Sequence, residues 1–97
     1  MVRIIVQVAE PEKIILFGSH ATGHAGPGSD VDLLVVTRKG ESRRQMAVEL
    51  YRALGGMGVP KDIVVVRPET FERFHNVPGS ILYPAAQEGR VFYKHAA

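Results

Sequence analysis

The strongest constraint on the fold comes from two short apolar segments that both begin with acidic residues. The first, Val31–Thr37 (VDLLVVT), follows Asp30 and contains Asp32, and the second is Asp62–Arg67 (DIVVVR). After their acidic starts both segments are apolar at successive positions, which is typical of strands covered on both faces. The chain between them is predicted to be helical, so the two strands are predicted to be parallel neighbours in one sheet.

The connecting helix is predicted over residues 42–54. Ser42 is a good N-cap residue, and Gln45 follows it at the capping-box spacing. One apolar stripe repeats every four residues, at Met46, Leu50 and Leu54. A helix with a single apolar face packs that face on a sheet, and the two glycines that follow Leu54 are predicted to end it.

The remaining segments complete a small mixed sheet. Two more strands are predicted at Lys13–Phe17 and Arg90–Tyr93, and short helices at Pro68–Phe74 and before the last strand, where Pro84 interrupts the helical pattern. Apolar residues alternate near the N-terminus, which fits a strand or a helix, and we favour a helix. Residues 1–97 are therefore predicted to form one α/β (α+β) domain with a sheet of about four strands and helices mainly on one face.

Composition excludes several classes of protein. The chain has no cysteine, which excludes disulfides and thiolate zinc sites. No apolar run approaches the roughly 20 residues of a membrane span, so we expect no membrane role and a cytoplasmic location. The net charge of +2 neither demands nor forbids nucleic acid.

Three aspartates are predicted to meet at one corner of the sheet. Side chains two positions apart on a strand share a face, so Asp30 and Asp32 lie together, and Asp62 starts the neighbouring parallel strand. Like charges this close oppose ionisation unless cations hold them. Carboxylate oxygens suit Mg²⁺, and such a triad can hold two metal ions about 4 Å apart for phosphoryl or nucleotidyl displacement.

A Gly-Ser turn after the first strand is the second half of this candidate site. Gly18 allows close approach of a ligand to the backbone, and the Ser19 hydroxyl can bind phosphate. Residues 19–24 could open a brief helix whose free N–H groups would suit an anion. Together, the turn and the carboxylates predict a nucleoside triphosphate held by its phosphates over metal.

The segment GSHATGHAGPGSDVDLLVV resembles the Gly-Ser…Asp-X-Asp signature of the DNA polymerase β-like nucleotidyltransferase superfamily, and more closely that of the minimal nucleotidyltransferases (MNT). The matching positions are Gly18, Ser19, Ala21, Gly23, Ser29, Asp30, Asp32 and Leu33. The segments KDIVVVRPETFERF and ILYPAAQEGRVFY resemble the third-carboxylate strand and the C-terminus of that family. The resemblance therefore covers nearly the whole chain.

The resemblance implies an enzyme that transfers a nucleoside monophosphate from a nucleoside triphosphate, ATP, and releases pyrophosphate. By the family's scheme, Asp30 and Asp32 bind both Mg²⁺ ions, Asp62 binds the catalytic metal and activates the acceptor hydroxyl, and Gly18 and Ser19 hold the β- and γ-phosphates. Members often act as the antitoxin of a HEPN-domain ribonuclease, and some add AMP to a tyrosine of that partner.

Other functions stay open beside this one. Family members commonly have arginine where this chain has His20 and Thr22, so one alternative is a catalytically silent nucleotide-binding or antitoxin interaction module. Another is modification of a small molecule or nucleic acid, which is less favoured because we expect no second domain to bind such an acceptor in 97 residues. A zinc site at His20 and His24 is disfavoured because no acidic or cysteine companion has a matching spacing.

A basic cluster is the last candidate feature, at Arg38, Lys39, Arg43 and Arg44. A solvated helix start is favoured for it over a site for an acidic or nucleic-acid partner. A homo-oligomer also stays open, because a domain this small can leave apolar surface for a partner.

Overall fold

In the computed structural model, a four-stranded sheet is covered by helices on both faces. The structure describes residues 1–18, 21, 23, 26 and 30–95. The strands are β1 (Lys13–Phe17), β2 (Val31–Val36), β3 (Lys61–Val66) and β4 (Arg90–Lys94). The helices of the described residues are α1 (Val2–Ala9), α2 (Arg43–Leu54), α3 (Pro68–Phe74) and α4 (Leu82–Glu88), with a 3₁₀ turn at Gly55–Met57.

The strands lie in the order β3-β2-β1-β4. Strand β1 is antiparallel to both of its neighbours, whereas β2 and β3 are parallel. The parallel pair stays in register from Val31 opposite Lys61 to Val36 opposite Val66. The predicted four-stranded mixed sheet and its parallel pair are confirmed, and the amino ends of β2 and β3 lie at the same edge of the sheet.

Helix α2 begins and packs as its sequence predicts. Ser42 is the N-cap residue, and its Oγ accepts a hydrogen bond from Gln45 N at 3.0 Å. The predicted apolar stripe is fully buried, at Met46, Leu50 and Leu54. This stripe packs on the sheet together with α1, so the connection between β2 and β3 also supplies a large part of the core.

The N-terminal segment is a helix, in agreement with the interpretation favoured from the sequence. Ile5 and Ala9, one helical turn apart, are fully buried in α1. Glu10 ends the helix with a φ of 44°, and its N–H donates to Val6 O at 3.0 Å. The alternating apolar residues are only partly buried, so the burial follows helical spacing and not the alternation of a strand.

Buried side chains lie on both faces of the sheet. Leu33 and Val35 pack with α1 and α2, whereas Leu34 and Val36 pack with α3 and α4. The prediction that helices lie mainly on one face holds for the two longer helices, α1 and α2. The two seven-residue helices, α3 and α4, cover the opposite face. Cover on both faces is required because β2 has no polar side after its acidic start.

The carboxyl ends of β2 and β3 are fixed by a polar network built around the buried Thr37. Thr37 is fully buried, and its Oγ1 donates to Ala9 O at 2.6 Å and accepts from Lys39 N at 3.0 Å. Arg67 Nη1 donates to Thr37 O at 3.1 Å and to Lys39 O at 2.8 Å. Its Nη2 donates to Gly40 O at 2.7 Å, so one guanidinium holds three carbonyls of the segment that follows β2.

The passage from α4 to β4 turns at Gly89. A Cβ on this residue would overlap both Ala85 O and Ile15 Cγ2, so only glycine fits between the helix and β1. Pro84 lies in the first turn of α4, where a backbone N–H has no helical partner, and the helix runs through it without interruption. Among the described residues, no helix has the length and apolar character needed to cross a bilayer.

Candidate functional site

The structure places two of the three predicted carboxylates at adjacent positions. Asp32 on β2 lies directly opposite Asp62 on β3 in the parallel register. Side chains of partnered residues project to the same side of a sheet, which here is the α3 and α4 face, since Leu34 and Val36 lie two and four positions after Asp32. Asp32 is half-buried and Asp62 is exposed, so both are within reach of solvent at this edge.

Asp30, the third carboxylate, immediately precedes β2 and is exposed. It lies two positions before Asp32, at the same edge of the sheet. The next residue is fixed by the neighbouring chain, since Val31 N donates to Pro60 O at 2.9 Å. The start of β2 is therefore held beside the start of β3 by backbone bonding, independently of the acidic side chains.

Gly18 lies against the Asp32 carboxylate. It follows β1 with a φ of 74°, and a Cβ built on it would overlap Asp32 Oδ2 and lie 3.2 Å from Asp32 Cγ. Glycine is therefore required at this position both for the left-handed backbone and for space. This close approach brings Gly18, the first residue of the predicted Gly-Ser turn, beside the Asp32 carboxylate. Ser19 and most of the brief helix predicted over residues 19–24 lie outside the described residues.

The donor chemistry of this edge fits a divalent cation, but the predicted triad is not gathered around one point. Aspartate oxygens are the ligands that Mg²⁺ prefers. Within the described residues, which include Asp30, Asp32 and Asp62, no group of three or more His, Asp or Glu side chains lies close enough to hold a metal ion. The sheet thus brings Asp32 and Asp62 together by register, whereas a three-carboxylate cluster is not formed.

Tyr51 is a residue of this site that the sequence did not reveal. It lies on α2, and its Oη accepts from Ile63 N at 2.8 Å and donates to Asp62 Oδ1 at 3.3 Å. In the sequence Tyr51 lies beside the apolar stripe of α2, and that position predicts only a packing role. Because Tyr51 follows Leu50, it is expected at the margin of the buried face of α2. Which strand lies next to that margin depends on the order of the strands in the sheet.

The basic cluster lies away from the carboxylates, and half of it is paired within the fold. Arg38 pairs with Glu69 and, at 3.1 Å from its Nε, with Glu12, while Lys39 Nζ lies 2.8 Å from Glu10 Oε2. The Lys39 ammonium lowers the pKa of Glu10 by hydrogen bonding and by its charge. These pairs support the interpretation of a solvated, structural cluster for Arg38 and Lys39.

A cavity lies at the same end of the sheet as these ion pairs. Its volume is about 570 Å³, and it is lined by Glu12, Arg38, Pro68, Glu69, Glu72 and Arg73. A hydrogen bond from its own backbone and the neighbouring Arg38 guanidinium lower the pKa of Glu69. Because acids and bases there neutralise each other, this cavity is a weaker candidate for a phosphate-bearing ligand than the edge with Gly18.

Comparison with known proteins adds an independent line of evidence. The sequence profile described as "Nucleotidyltransferase domain" matches residues 2–92, nearly the whole chain. A poly(A) polymerase, PAPa of Candida albicans, is 42% identical over 59 residues, which are 61% of this chain and 10% of that protein. The chain thus corresponds to about a tenth of the length of this curated relative.

Two solved structures share the fold. A crystal structure of a toxin–antitoxin with AMP-PNP superposes with a TM-score of 0.62 at 19% identity, over 97% of this chain and 70% of that one. A mutant of the toxin–antitoxin MntA-HpeT, in which two aspartates two positions apart are replaced by glutamate, gives a TM-score of 0.59 at 17% identity over the same shares. At these identities the likeness is one of fold.

Proposed function

The chain belongs to the nucleotidyltransferase domain family, and on that premise we propose that it transfers AMP from ATP to a hydroxyl acceptor and releases pyrophosphate. The observation that supports this proposal most strongly is the meeting of Asp32, Asp62 and Gly18 at one edge of the sheet. Two carboxylates in register beside a backbone that only glycine can form suit a ligand that brings both phosphate and cations.

Each group has a role in the proposed reaction. Asp30, Asp32 and Asp62 would hold two Mg²⁺ ions, which when bound neutralise the charge that develops on the phosphates. Gly18 and Ser19 would hold the β- and γ-phosphates. The acceptor oxygen bonds to the α-phosphorus while the bond from that phosphorus to the β-phosphate oxygen breaks, and Asp62 accepts the proton of the acceptor hydroxyl.

We further propose that the acceptor belongs to a protein partner in the cytoplasm, a tyrosine of a small helical HEPN-type toxin. Two of the structural neighbours of the fold are toxin–antitoxin structures, and one of them was solved with AMP-PNP, an ATP analogue. The aspartates replaced in the MntA-HpeT mutant have the same spacing as Asp30 and Asp32. These are features of the neighbours, and the assay below tests them for this chain.

A catalytically silent antitoxin module is the second candidate, and one observation favours it. The described side chains do not gather three carboxylates around one point, whereas the proposed transfer reaction would use Asp30, Asp32 and Asp62 together. Such a module would act by covering its partner and would need only the surface of the fold.

One assay separates the two functions. The protein is incubated with Mg²⁺ and ATP labelled at the α-phosphate, with and without the protein encoded beside it. Label transferred to the partner or to another hydroxyl acceptor, with release of pyrophosphate, supports nucleotidyl transfer. If a stable complex forms and no label leaves ATP, the enzyme proposal is wrong and the silent module replaces it.

A further inference from the structure

The hydroxyl of Tyr51 joins α2 to the start of β3. The tyrosine side chain is 39% exposed and belongs to a helix on the opposite face of the sheet from the Asp62 side chain. Because β3 is the outermost strand of the sheet, the ring can reach around the side of this strand to both the Ile63 N–H and the Asp62 carboxylate. A helix that forms the core is thereby connected to a residue of the candidate site.

The direction of the two hydrogen bonds is fixed by their donors. A backbone N–H can only donate, so Ile63 N uses a lone pair of the hydroxyl, and the single hydroxyl proton is left for Asp62. The 2.8 Å separation from Ile63 N is within the usual range for an N–H···O bond, whereas 3.3 Å to Asp62 Oδ1 is long for an O–H donor. The backbone therefore fixes the hydroxyl, and the hydroxyl in turn guides the carboxylate.

We propose that Tyr51 is a positioning residue that orients the Asp62 carboxylate beside Asp32, an inference that rests on the proposed function. Asp62 is exposed on an edge strand, where its side chain would otherwise sample several rotamers. The bond engages Oδ1 and leaves Oδ2 available to a ligand. Groups that hold a metal-binding residue in this way typically contribute about 10- to 100-fold in metal affinity or activity.

The substitution Tyr51→Phe tests this role, because it removes the hydroxyl and keeps the ring. Tyr93→Phe is the matched control, since it makes the same change on β4, at the other edge of the sheet. Mn²⁺ alone is titrated into each protein and its affinity is measured by calorimetry. We expect Tyr51→Phe to weaken Mn²⁺ binding about tenfold and Tyr93→Phe to leave it unchanged.

A double variant shows whether the hydroxyl acts through Asp62. Asp62→Ala, which removes the acceptor of the Tyr51 hydroxyl, is combined with Tyr51→Phe, and the Mn²⁺ affinity of the pair is compared with that of Asp62→Ala alone. If Tyr51 acts only by orienting this carboxylate, the second substitution has no further effect. A further tenfold loss in the Asp62→Ala background would overturn the proposal.

Two further measurements distinguish positioning from a structural role. Loss of the bond to Ile63 should speed exchange of that amide with solvent, and with ATP and acceptor present kcat should fall about tenfold while KM for ATP is kept. A lower melting temperature with unchanged Mn²⁺ affinity and kcat means that the hydroxyl is only structural. Unchanged amide exchange at Ile63 means that the bond itself is absent.

The Mn²⁺ titrations also test the proposed function separately from the role of Tyr51. If the wild-type protein binds Mn²⁺ and Asp32→Asn abolishes this binding, the carboxylate site is supported. That conclusion does not depend on the Mn²⁺ affinity of Tyr51→Phe. If the wild type binds and Tyr51→Phe binds equally, only the role of Tyr51 is wrong. If the wild type binds no Mn²⁺ and transfers no AMP, both proposals are wrong.

Discussion

The two ends of the β2–β3 pair both contain polar residues, but they use them in opposite ways. At the carboxyl ends, Thr37 and Arg67 are hydrogen-bonded to backbone groups of other segments, and they tie α1 and the loop after β2 to the sheet. At the amino ends, Asp32 and Asp62 occupy partnered positions with the same sign of charge. Like charges at partnered positions destabilise a sheet.

This difference separates residues that hold the fold from residues that we propose to bind a ligand. The backbone alone aligns the amino ends, through the register of β2 with β3 and the bond from Val31 N to Pro60 O. The acidic side chains are therefore not needed for the alignment, and their placement fits the proposed binding of cations and phosphate. Substitutions at the two ends should accordingly fall into two classes, one that affects activity and one that affects stability.

Asp32→Asn should have the largest effect on activity. A small effect would contradict the distinction between the two ends of the β2–β3 pair. We expect transfer of labelled AMP to fall by at least about 1,000-fold, the range in which removal of a group at a reaction centre falls. The free energy of unfolding should stay the same or rise slightly, since the like charge at the position partnered with Asp62 is removed. Glu49→Gln, the same chemical change on the exposed side of α2, is the control. Unfolding of Asp32→Asn would mean that the carboxylate is structural.

Gly18→Ala should reduce activity next most strongly. The new Cβ would overlap Asp32 Oδ2, so the carboxylate has to move, and displacement of a reacting group by about 1 Å can cost about 100-fold in rate. The left-handed backbone adds a destabilisation of about 1–2 kcal/mol. Transfer rates and denaturant unfolding measure the two effects. Full activity in this variant would show that the turn does not need to approach Asp32.

Thr37→Val should lower stability and leave activity unchanged. It leaves Ala9 O buried without its donor, which should lower the free energy of unfolding by about 1–3 kcal/mol while the transfer rate of the folded protein stays unchanged. Thr70→Val on α3 makes the same change outside this network. Equal stability of the two variants, measured by denaturant unfolding, would contradict the role given to the network.

The smallest expected effect is the acid dependence of the ion pair between Lys39 and Glu10. The pKa of Glu10 lies below its usual 4.5 in the folded protein, so the pair stabilises the fold above pH 4.5, and this contribution is lost as the pH falls through the folded pKa. Lys39→Gln should therefore lower the melting temperature slightly at neutral pH and not at strongly acidic pH. Lys94→Gln is the control, and high salt should remove the difference.

Local sequence signals predicted most of the elements because each signal has a local physical cause. The hydroxyl of Ser42 caps α2 and Pro68 starts α3, as the capping and proline patterns predict. The parallel pairing that brings the acidic starts of β2 and β3 to the same edge also follows from the sequence, since both strands have an acidic start and an apolar continuation, whereas the register that pairs Asp32 with Asp62 is seen only in the structure. The alternation near the N-terminus was ambiguous, because only the packing of Ile5 and Ala9 shows which periodicity faces the core.

Features that depend on distant parts of the chain could not be predicted. The contact between Tyr51 and Asp62 requires both the helix orientation and the fact that β3 lies at an edge. The pairing of Arg38 with Glu12 and Glu69 joins three segments, and a count of basic residues cannot reveal it. The predicted clustering of Asp30 with the other two carboxylates followed from strand alternation alone, which fixes a shared face but not the convergence of side chains.

Gly89 has a consequence for the comparison of related sequences. Because α4, β1 and the start of β4 meet at its Cα, this position tolerates no side chain unless the backbone moves. A chain of this fold with a larger residue there has to lengthen the junction or lift the helix from β1. The identity of this one residue therefore indicates, from sequence alone, whether a relative closes the second face of its sheet in the same way.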